Sequence, residues 1–463
     1  MANFFKAASK SKPTSQQITV TIDKLDMNGV GIAFSNKKAI FIAGALPKEV
    51  VTVKTLEEKR KYARAKLISI EKQSDKRVQA QCQHFGVCGG CDLQMLSPEE
   101  QLHFKQQKVM ELFSRSYSAY GITEKITTTM LPWQAAIKSQ PWHYRRKARL
   151  GVQFNKKHQA TVGFRQKSTN QLASIKACPV LVESLSHFFP LIKEQLAKLT
   201  IKSAIGHIEV IEAEVAKNAE QSEKKVVLVV RQLKPMNGTD INLWQQFSIE
   251  NDCNVLIDNG DKKQSVADVK TNEGVQLLYK LTDSSKITFS SNDFIQINHQ
   301  VNLEMIDQAL AWLDISSTDI VLDLFCGLGN FSLPLAKQAE RVVGVEGVQF
   351  MVDKASYNAK LNGIANCQFY QADLNSDWLS NTWAKEHKFN KVLLDPARAG
   401  AEQAVEQLVK LEIPDILYVS CDPATLARDS AILVSHGYKI EKIALMDMFC
   451  QTKHVETMVL FRK

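Results

Sequence analysis

The chain has 463 residues, 44% hydrophobic and 23% charged, with a formal net charge of +9, the make-up of a globular protein of two to four domains. No apolar stretch reaches the ~20 residues of a membrane helix, and the start Met1-Ala2-Asn3-Phe4-Phe5-Lys6 has no apolar signal run, so a cytoplasmic protein without a membrane partner is expected. Nine cysteines, an odd number, argue against a disulfide framework.

The positive charge is local. Residues 1–80 hold 16 Lys and Arg against 7 Asp and Glu, whereas the other 383 hold 42 of each sign. Such a surplus suits a nucleic-acid binder or a solubilising surface. Residues 1–15 read as a disordered tail. Five short strands follow within 16–74, at 18–22, 30–34, 39–42, 50–53 and 65–70, separated by turn signals such as Asn28-Gly29. They predict a small β-barrel, with Lys59-Arg60-Lys61-Tyr62-Ala63-Arg64 offering cations and a stacking ring.

Residues 75–95 carry Cys82-x5-Cys88-x2-Cys91 among Gly86, Gly89 and Gly90, a ligand-like spacing. Cys178, followed by Pro179, is the best fourth ligand. An iron–sulfur cluster and a structural zinc ion both suit these thiols, and His84 could replace one of them. Residues 96–285 read as a mostly β central domain with a helix from Pro98 to about Tyr117 and another over 181–200. Its segment Tyr144-Arg145-Arg146-Lys147 and Arg149 is basic and suits phosphate contacts.

From 286 to 463 helix and strand alternate. Strands are expected at Ile320–Phe325, Arg341–Val345, Gln368–Gln371, Lys391–Leu394, Ile416–Ser420, Ile440–Leu445 and Glu456–Phe461. This is the rhythm of an α/β, doubly wound parallel sheet, with the last two strands antiparallel. Ligands bind at the carboxyl ends of such strands. There stand Asp323-Leu324-Phe325-Cys326-Gly327-Leu328-Gly329-Asn330, then Glu346, placed to accept from ribose hydroxyls, and Asp373, near an adenine. The glycine run lacks the third glycine of the dinucleotide fingerprint and carries Phe331 next. A ligand without phosphate, such as S-adenosylmethionine, fits better than a pyrophosphate.

Cys421, in Tyr418-Val419-Ser420-Cys421-Asp422-Pro423, ends an apolar strand cut off by proline. It is a candidate nucleophile, although an ionised Asp422 beside it would raise its pKa. Cys253, Cys326, Cys367 and Cys450 read as inert core thiols. Glu456 is a candidate general base or a surface glutamate. Asp395 and Arg398, in Leu394-Asp395-Pro396-Ala397-Arg398, could hold the cofactor or orient the target.

Together with Phe294-Ile295-Gln296-Ile297-Asn298 and His454-Val455-Glu456-Thr457, these motifs resemble the RNA uracil-C5 methyltransferases over nearly the whole chain. The resemblance is closest to the branch that acts on bacterial 23S ribosomal RNA. The barrel looks like a TRAM domain, the RNA-binding barrel of that family, and the C-terminal sheet like its Rossmann-like methyltransferase domain. The resemblance implies that Gln296, Phe325, Asn330, Glu346, Asp373 and Asp395 contact S-adenosylmethionine. It makes Cys421 the nucleophile and Glu456 the base. It also implies a [4Fe-4S] cluster on Cys82, Cys88, Cys91 and Cys178. A base buried in folded RNA cannot reach such a pocket, so a flipped-out uridine is the expected substrate, and a monomer is expected. Asp422 departs from the family, which has asparagine there, and Cys450 and Lys453 stand near the places of a family proline and glycine. Competing readings are a tRNA target, an RNA-binding assembly factor without catalysis, and an iron–sulfur oxidoreductase with a nicotinamide pocket.

Overall fold

The computed structural model describes residues 17–122, 131–167, 169–216, 221–260, 263–266 and 276–463. The tail expected over 1–15 lies outside them. The chain divides into two compact units, one of Met1–Gly86, Cys91–Gln101 and Gln451–Lys453, the other of Val87–Gly90, Leu102–Cys450 and His454–Lys463. Among the described residues no helix is long and apolar enough to cross a membrane.

The first unit holds a six-stranded sheet, one strand more than expected. The extra strand, Lys24–Leu25, has two residues, too few for alternation to show in sequence. Val51, Val53, Ala63, Ala65, Ile40 and Ile42 point inward at every second position and form its core. Glu49 is fully buried at one end. It accepts from Arg77 Nε at 2.6 Å and from Leu46 N at 2.8 Å, which compensates the cost of hiding a carboxylate. Tyr62 is half-buried and meets Phe41 edge-on, so its face is less open than its sequence setting implied.

In the second unit a nine-stranded mixed sheet begins at Lys147–Phe154 and includes the long hairpin Ile205–Ala216 and Ser222–Gln232. Phe188, Phe189 and Ile192 of the helix Phe188–Lys198, with Trp244 and Phe247 of Gly238–Glu250, cover one face of it. The strand Lys286–Phe289 pairs with Leu277–Lys280, so the division expected between 285 and 286 falls inside a hairpin.

The C-terminal sheet has seven strands, each within one residue of its expected ends. Their spatial order is Cys367–Gln371, Arg341–Glu346, Ile320–Leu324, Lys391–Leu394, Asp415–Ser420, Glu456–Arg462, Lys439–Met446. The first five are parallel. The last strand in sequence inserts antiparallel between its two predecessors, an order that local sequence does not carry. Alternate residues serve two layers: Leu393, Leu417, Val419 and Met458 face one, and Leu322, Val392, Ile416 and Tyr418 the other. That two-sided burial makes the strands continuous apolar runs. The helix Pro98–Ala119 contributes Val109, Phe113 and Tyr117 to the second layer. Segment 131–137 lies along the edge strand, with Gln134 N donating to Ile443 O and Ile137 N to Leu445 O, and so blunts the edge.

Candidate active site

A cavity of about 510 Å³ opens at the carboxyl ends of the parallel strands. Its lining brings together Cys421, Glu456, Gln296, Phe325, Asn330, Glu346 and Asp395. Asp373 is not part of that lining. It is exposed at the end of its strand, and its carboxylate accepts from Asn375 N at 3.0 Å, closing a turn. Its position after a strand was correct, but the chain turns away there.

The strand Ile320–Leu324 ends in a strained turn. Phe325 has φ +64, which a bulky side chain rarely adopts. The turn is pinned because the N–H groups of Phe325 and Cys326 both donate to Val345 O, at 2.9 and 3.1 Å. Gly329 has φ +89, and a Cβ there would lie 2.5 Å from Leu333 Cδ1, so glycine alone suits the bend. Glu346 is oriented before any ligand arrives: Gly327 N donates to Oε2 at 3.1 Å and Gly347 N to Oε1 at 2.8 Å. The Asn330 amide is largely committed within the protein. It exchanges two hydrogen bonds with Asn302 and accepts from the Tyr279 hydroxyl at 3.0 Å. Gln296 is buried, and among the described residues its Oε1 has no hydrogen-bond partner.

Cys421 follows the strand Asp415–Ser420, and Asp422-Pro423 starts the next helix. The Asp422 carboxylate accepts from Ala424 N at 2.9 Å, as a helix N-cap. It therefore turns away from the thiol. Burial first, and then the charges of Glu456 and Asp395, push the Cys421 thiol up to about 12, while the Arg398 cation opposes them. The expected repulsion is present, but it comes from across the sheet, not from the next residue.

Glu456 is 4% exposed, not a surface glutamate. Burial, followed by the Asp395 charge, raises its carboxyl well above the usual range, and Arg398 and Lys105 pull it back. Burial lifts Asp395 to about 7. Two carboxylates that ionise reluctantly and one thiol thus share a pocket with one nearby guanidinium. The loop that carries Arg398 is tied to the helix behind Cys421. Ala401 N donates to Asp429 Oδ2 at 2.7 Å, Arg428 Nη2 to Ala399 O at 3.1 Å, and Thr425 Oγ1 to Arg398 O at 3.3 Å.

Before Glu456 the chain is anchored by a buried ion pair. Lys105 Nζ lies 2.7 Å from Asp447 Oδ1 and donates to Phe449 O at 3.1 Å. Cys450 is buried, its thiol donating to Asp447 Oδ2 at 3.1 Å, and Tyr144 OH donates to its carbonyl at 2.8 Å. Cys450 is therefore structural. Arg146, expected to reach phosphate, is 6% exposed and donates through Nε to Gln296 O at 3.0 Å while stacking on Tyr279. Lys105, Asp447, Tyr279 and Met351 were not singled out by sequence. They lie outside the motifs, and only their tertiary neighbours give them a role.

Cys88 and Cys178 are half-buried against the same hydrophobic core of the second unit. Cys82 and Cys91 are half-buried residues of the first. Among the described residues, no group of three or more His, Cys, Asp or Glu is arranged to hold a metal ion.

A family model for tRNA (uracil-5-)-methyltransferase matches residues 121–463, and one for the TRAM domain matches 14–68. The chain is 68% identical to the 23S rRNA (uracil(1939)-C(5))-methyltransferase RlmD of Colwellia psychrerythraea, covering 100% of this chain and 99% of that one. It is 41% identical to the protein of the same name from Vibrio cholerae, over 100% of both chains. In structure it is similar to the Pyrococcus abyssi tRNA (uracil-54, C5)-methyltransferase in complex with S-adenosyl-L-homocysteine. The TM-score is 0.70 at 22% identity, covering 96% of this chain and 99% of that one, a likeness of fold. The cavity with its facing thiol and carboxylate thus sits in a chain that belongs to the tRNA (uracil-5-)-methyltransferase family and carries a TRAM domain ahead of its catalytic part.

Proposed function

We propose that this enzyme methylates C5 of a uridine in 23S ribosomal RNA, with Cys421 as nucleophile and Glu456 as base. One observation carries the chemistry: the thiol and a buried carboxylate occupy one cavity at the strand ends, within reach of each other's charge. The substrate class follows the relatives that match end to end.

The residues present suit S-adenosylmethionine. Glu346 is preset to accept from ribose hydroxyls, Gln296 offers a buried unpaired oxygen, and the turn Gly327–Gly329 allows close approach. Phe325 and Asp395 line the same wall, and Asn330 shapes it through its amide exchange with Asn302. Asp373, exposed at the end of its own strand, is the remaining candidate contact to the cofactor. When bound, the cofactor supplies an electrophilic methyl group on a sulfonium.

Uracil C5 is a weak carbon nucleophile. The uridine leaves its stack at a cost of roughly a few kcal/mol. The Cys421 thiolate then adds to C6, and the displaced electron pair makes C5 an enolate-type nucleophile. After C5 is alkylated its proton must leave. Glu456 takes it when ionised, and the raised range of its carboxyl makes that carboxylate the stronger base. Elimination of Cys421 restores the ring. A thiol at about 12 needs help to ionise. Arg398 gives part of it, and the proton of the thiol passes to water.

By donor chemistry, Cys82, Cys88, Cys91 and Cys178 are four half-buried thiols suited to a [4Fe-4S] cluster. This assignment rests on the thiols and their spacing, and the cluster takes no part in the steps above. Anaerobic purification tests it: brown protein with equal iron and acid-labile sulfide supports it, and stoichiometric zinc rejects it.

Labelled methyl donor with unmodified 23S rRNA, and separately with unmodified tRNA, tests the function. Label in C5 of one 23S uridine is expected. Label only in tRNA would move the target, and tight binding without transfer would make the protein an assembly factor.

A further inference from the structure

Phe294 lines the cavity, and the loop before it carries a group of charges that the reaction does not use. Residues 290–294 form a loop that presents Phe294, 72% exposed, at the rim. Three ammonium groups from three separate elements close on this loop. Lys147, from the strand Lys147–Phe154, donates to the carbonyls of Ser291 and Asp293, at 2.7 and 2.8 Å. Lys263, from the strand Lys263–Ser265, donates to Ser291 Oγ and, at 2.6 Å, to Asn292 Oδ1. Lys354, from the helix Gln349–Leu361, donates to Ser290 Oγ at 2.8 Å and to Asp293 Oδ2.

Asp293 is the one carboxylate among those six acceptors. The nearby Glu209 and Asp258 are already paired, with Arg149 at 2.5 Å and Arg231 at 2.9 Å. Among the described residues, Asp293 is thus the carboxylate that bonds one of the three ammonium groups directly, while Glu209 and Asp258 act on Lys147 and Lys263 from their own ion pairs. Burial holds Lys147 and Lys263 below the usual lysine range; Glu209 and Asp293, with Asp258 at Lys263, oppose it, and the cations Lys263 and Arg149 at Lys147 and Lys354 at Lys263 add to it. Each ammonium has three N–H donors, and the bonds described engage two. Like charges gathered beside an exposed aromatic ring are an arrangement that an anion relieves.

We propose that this loop is a seat for a backbone phosphate of the RNA, beside the extruded uridine. Lys263 and Lys354 donate their remaining N–H groups to phosphate oxygens, and Phe294 offers its face to a base. The proposal rests on the RNA-methyltransferase reading and adds a contact to it. Each phosphate contact contributes a slope of about −0.7 to −0.9 to the dependence of log K on log salt.

The test measures binding of an unmodified 23S rRNA transcript to the full-length protein across a potassium chloride series. Lys263→Gln is expected to make the slope shallower by about that amount and to weaken binding at low salt. Lys263→Arg, which keeps the charge, is expected to keep the slope, and Lys354→Gln to repeat the loss. An unchanged slope in both glutamine variants would overturn the proposal, whatever happens to turnover, and a fall in melting temperature alone would leave the lysines as loop supports. If the wild-type protein neither binds nor methylates the transcript, the parent reading fails instead. Lys263 sits on a short edge strand, so its variants decide the matter even if Lys354→Gln does not fold.

Discussion

Ser420 pairs with Thr457 across two antiparallel strands. Cys421 follows Ser420 and Glu456 precedes Thr457, so the pairing brings two residues thirty-five apart in the chain to the same strand end, where both line the cavity. The proposed nucleophile and base are thus brought together by one strand pairing. It is also the pairing that interrupts the parallel sheet.

Cys421→Ala removes the sulfur proposed to bond to C6. Turnover is expected to fall by about 10⁴ or more, while calorimetric affinity for S-adenosylmethionine stays within a few-fold. Turnover near the wild-type level would remove Cys421 from the mechanism.

Glu456→Gln keeps the shape of the cavity and cannot take the C5 proton. The rate is expected to drop by about 10² to 10⁴, with a covalent protein–RNA species building up on denaturing gels. A slow variant that shows no trapped species would assign the proton to another group.

Asp395 is held at about 7 by burial, above its value of about 3.9 in the unfolded chain. The neutral form is favoured in the folded state. This contribution is fully present below about pH 4 and is lost as pH rises through about 7. The whole shift corresponds to about 4 kcal/mol, which the open cavity mouth reduces to about 2 kcal/mol. Asp395→Asn is therefore expected to melt higher than wild type at pH 8 and to lose that advantage near pH 4. An advantage that grows on acidification would contradict the assignment.

Asp422 caps the helix Pro423–Ser435. Asp422→Ala is expected to cost about 1 kcal/mol of stability and Asp422→Asn very little, since both Asp and Asn cap well. Urea melts check this. A large loss of turnover in Asp422→Asn, at unchanged stability, would give the carboxylate a chemical role that its geometry does not suggest.

Lys105 and Asp447 are 2% and 5% exposed, so breaking their pair strands a buried charge. Lys105→Met is expected to cost about 3 to 5 kcal/mol. Adding Asp447→Asn should recover part of it. A double variant no more stable than the single one would mean that the pair does not carry the loop before Glu456.

Most of the C-terminal strands were readable as short apolar runs, such as Ile320–Leu324, Lys391–Leu394 and Asp415–Ser420, and Cys367–Gln371 and Lys439–Met446 from the alternation with helices. The cavity was readable where a motif ends such a strand, as at Gly327, Glu346, Asp395 and Cys421. Asp373 met the same rule, yet it lies outside the cavity lining because its side chain closes a turn with Asn375. Arg146 looked like a surface cation in a basic run, but the sheet buries it behind Gln296.

The sequence by itself determined the alternation of strands and helices, the glycine turn at 327–329 and the proline stop after Cys421, because backbone sterics and side-chain periodicity act over a few residues. Only the tertiary structure decided that the last strand inserts beside Asp415–Ser420, that Asp422 faces a helix and not the thiol, and that three lysines meet at one loop. Register, burial and the sum of nearby charges depend on residues far apart in the chain, and no local pattern encodes them.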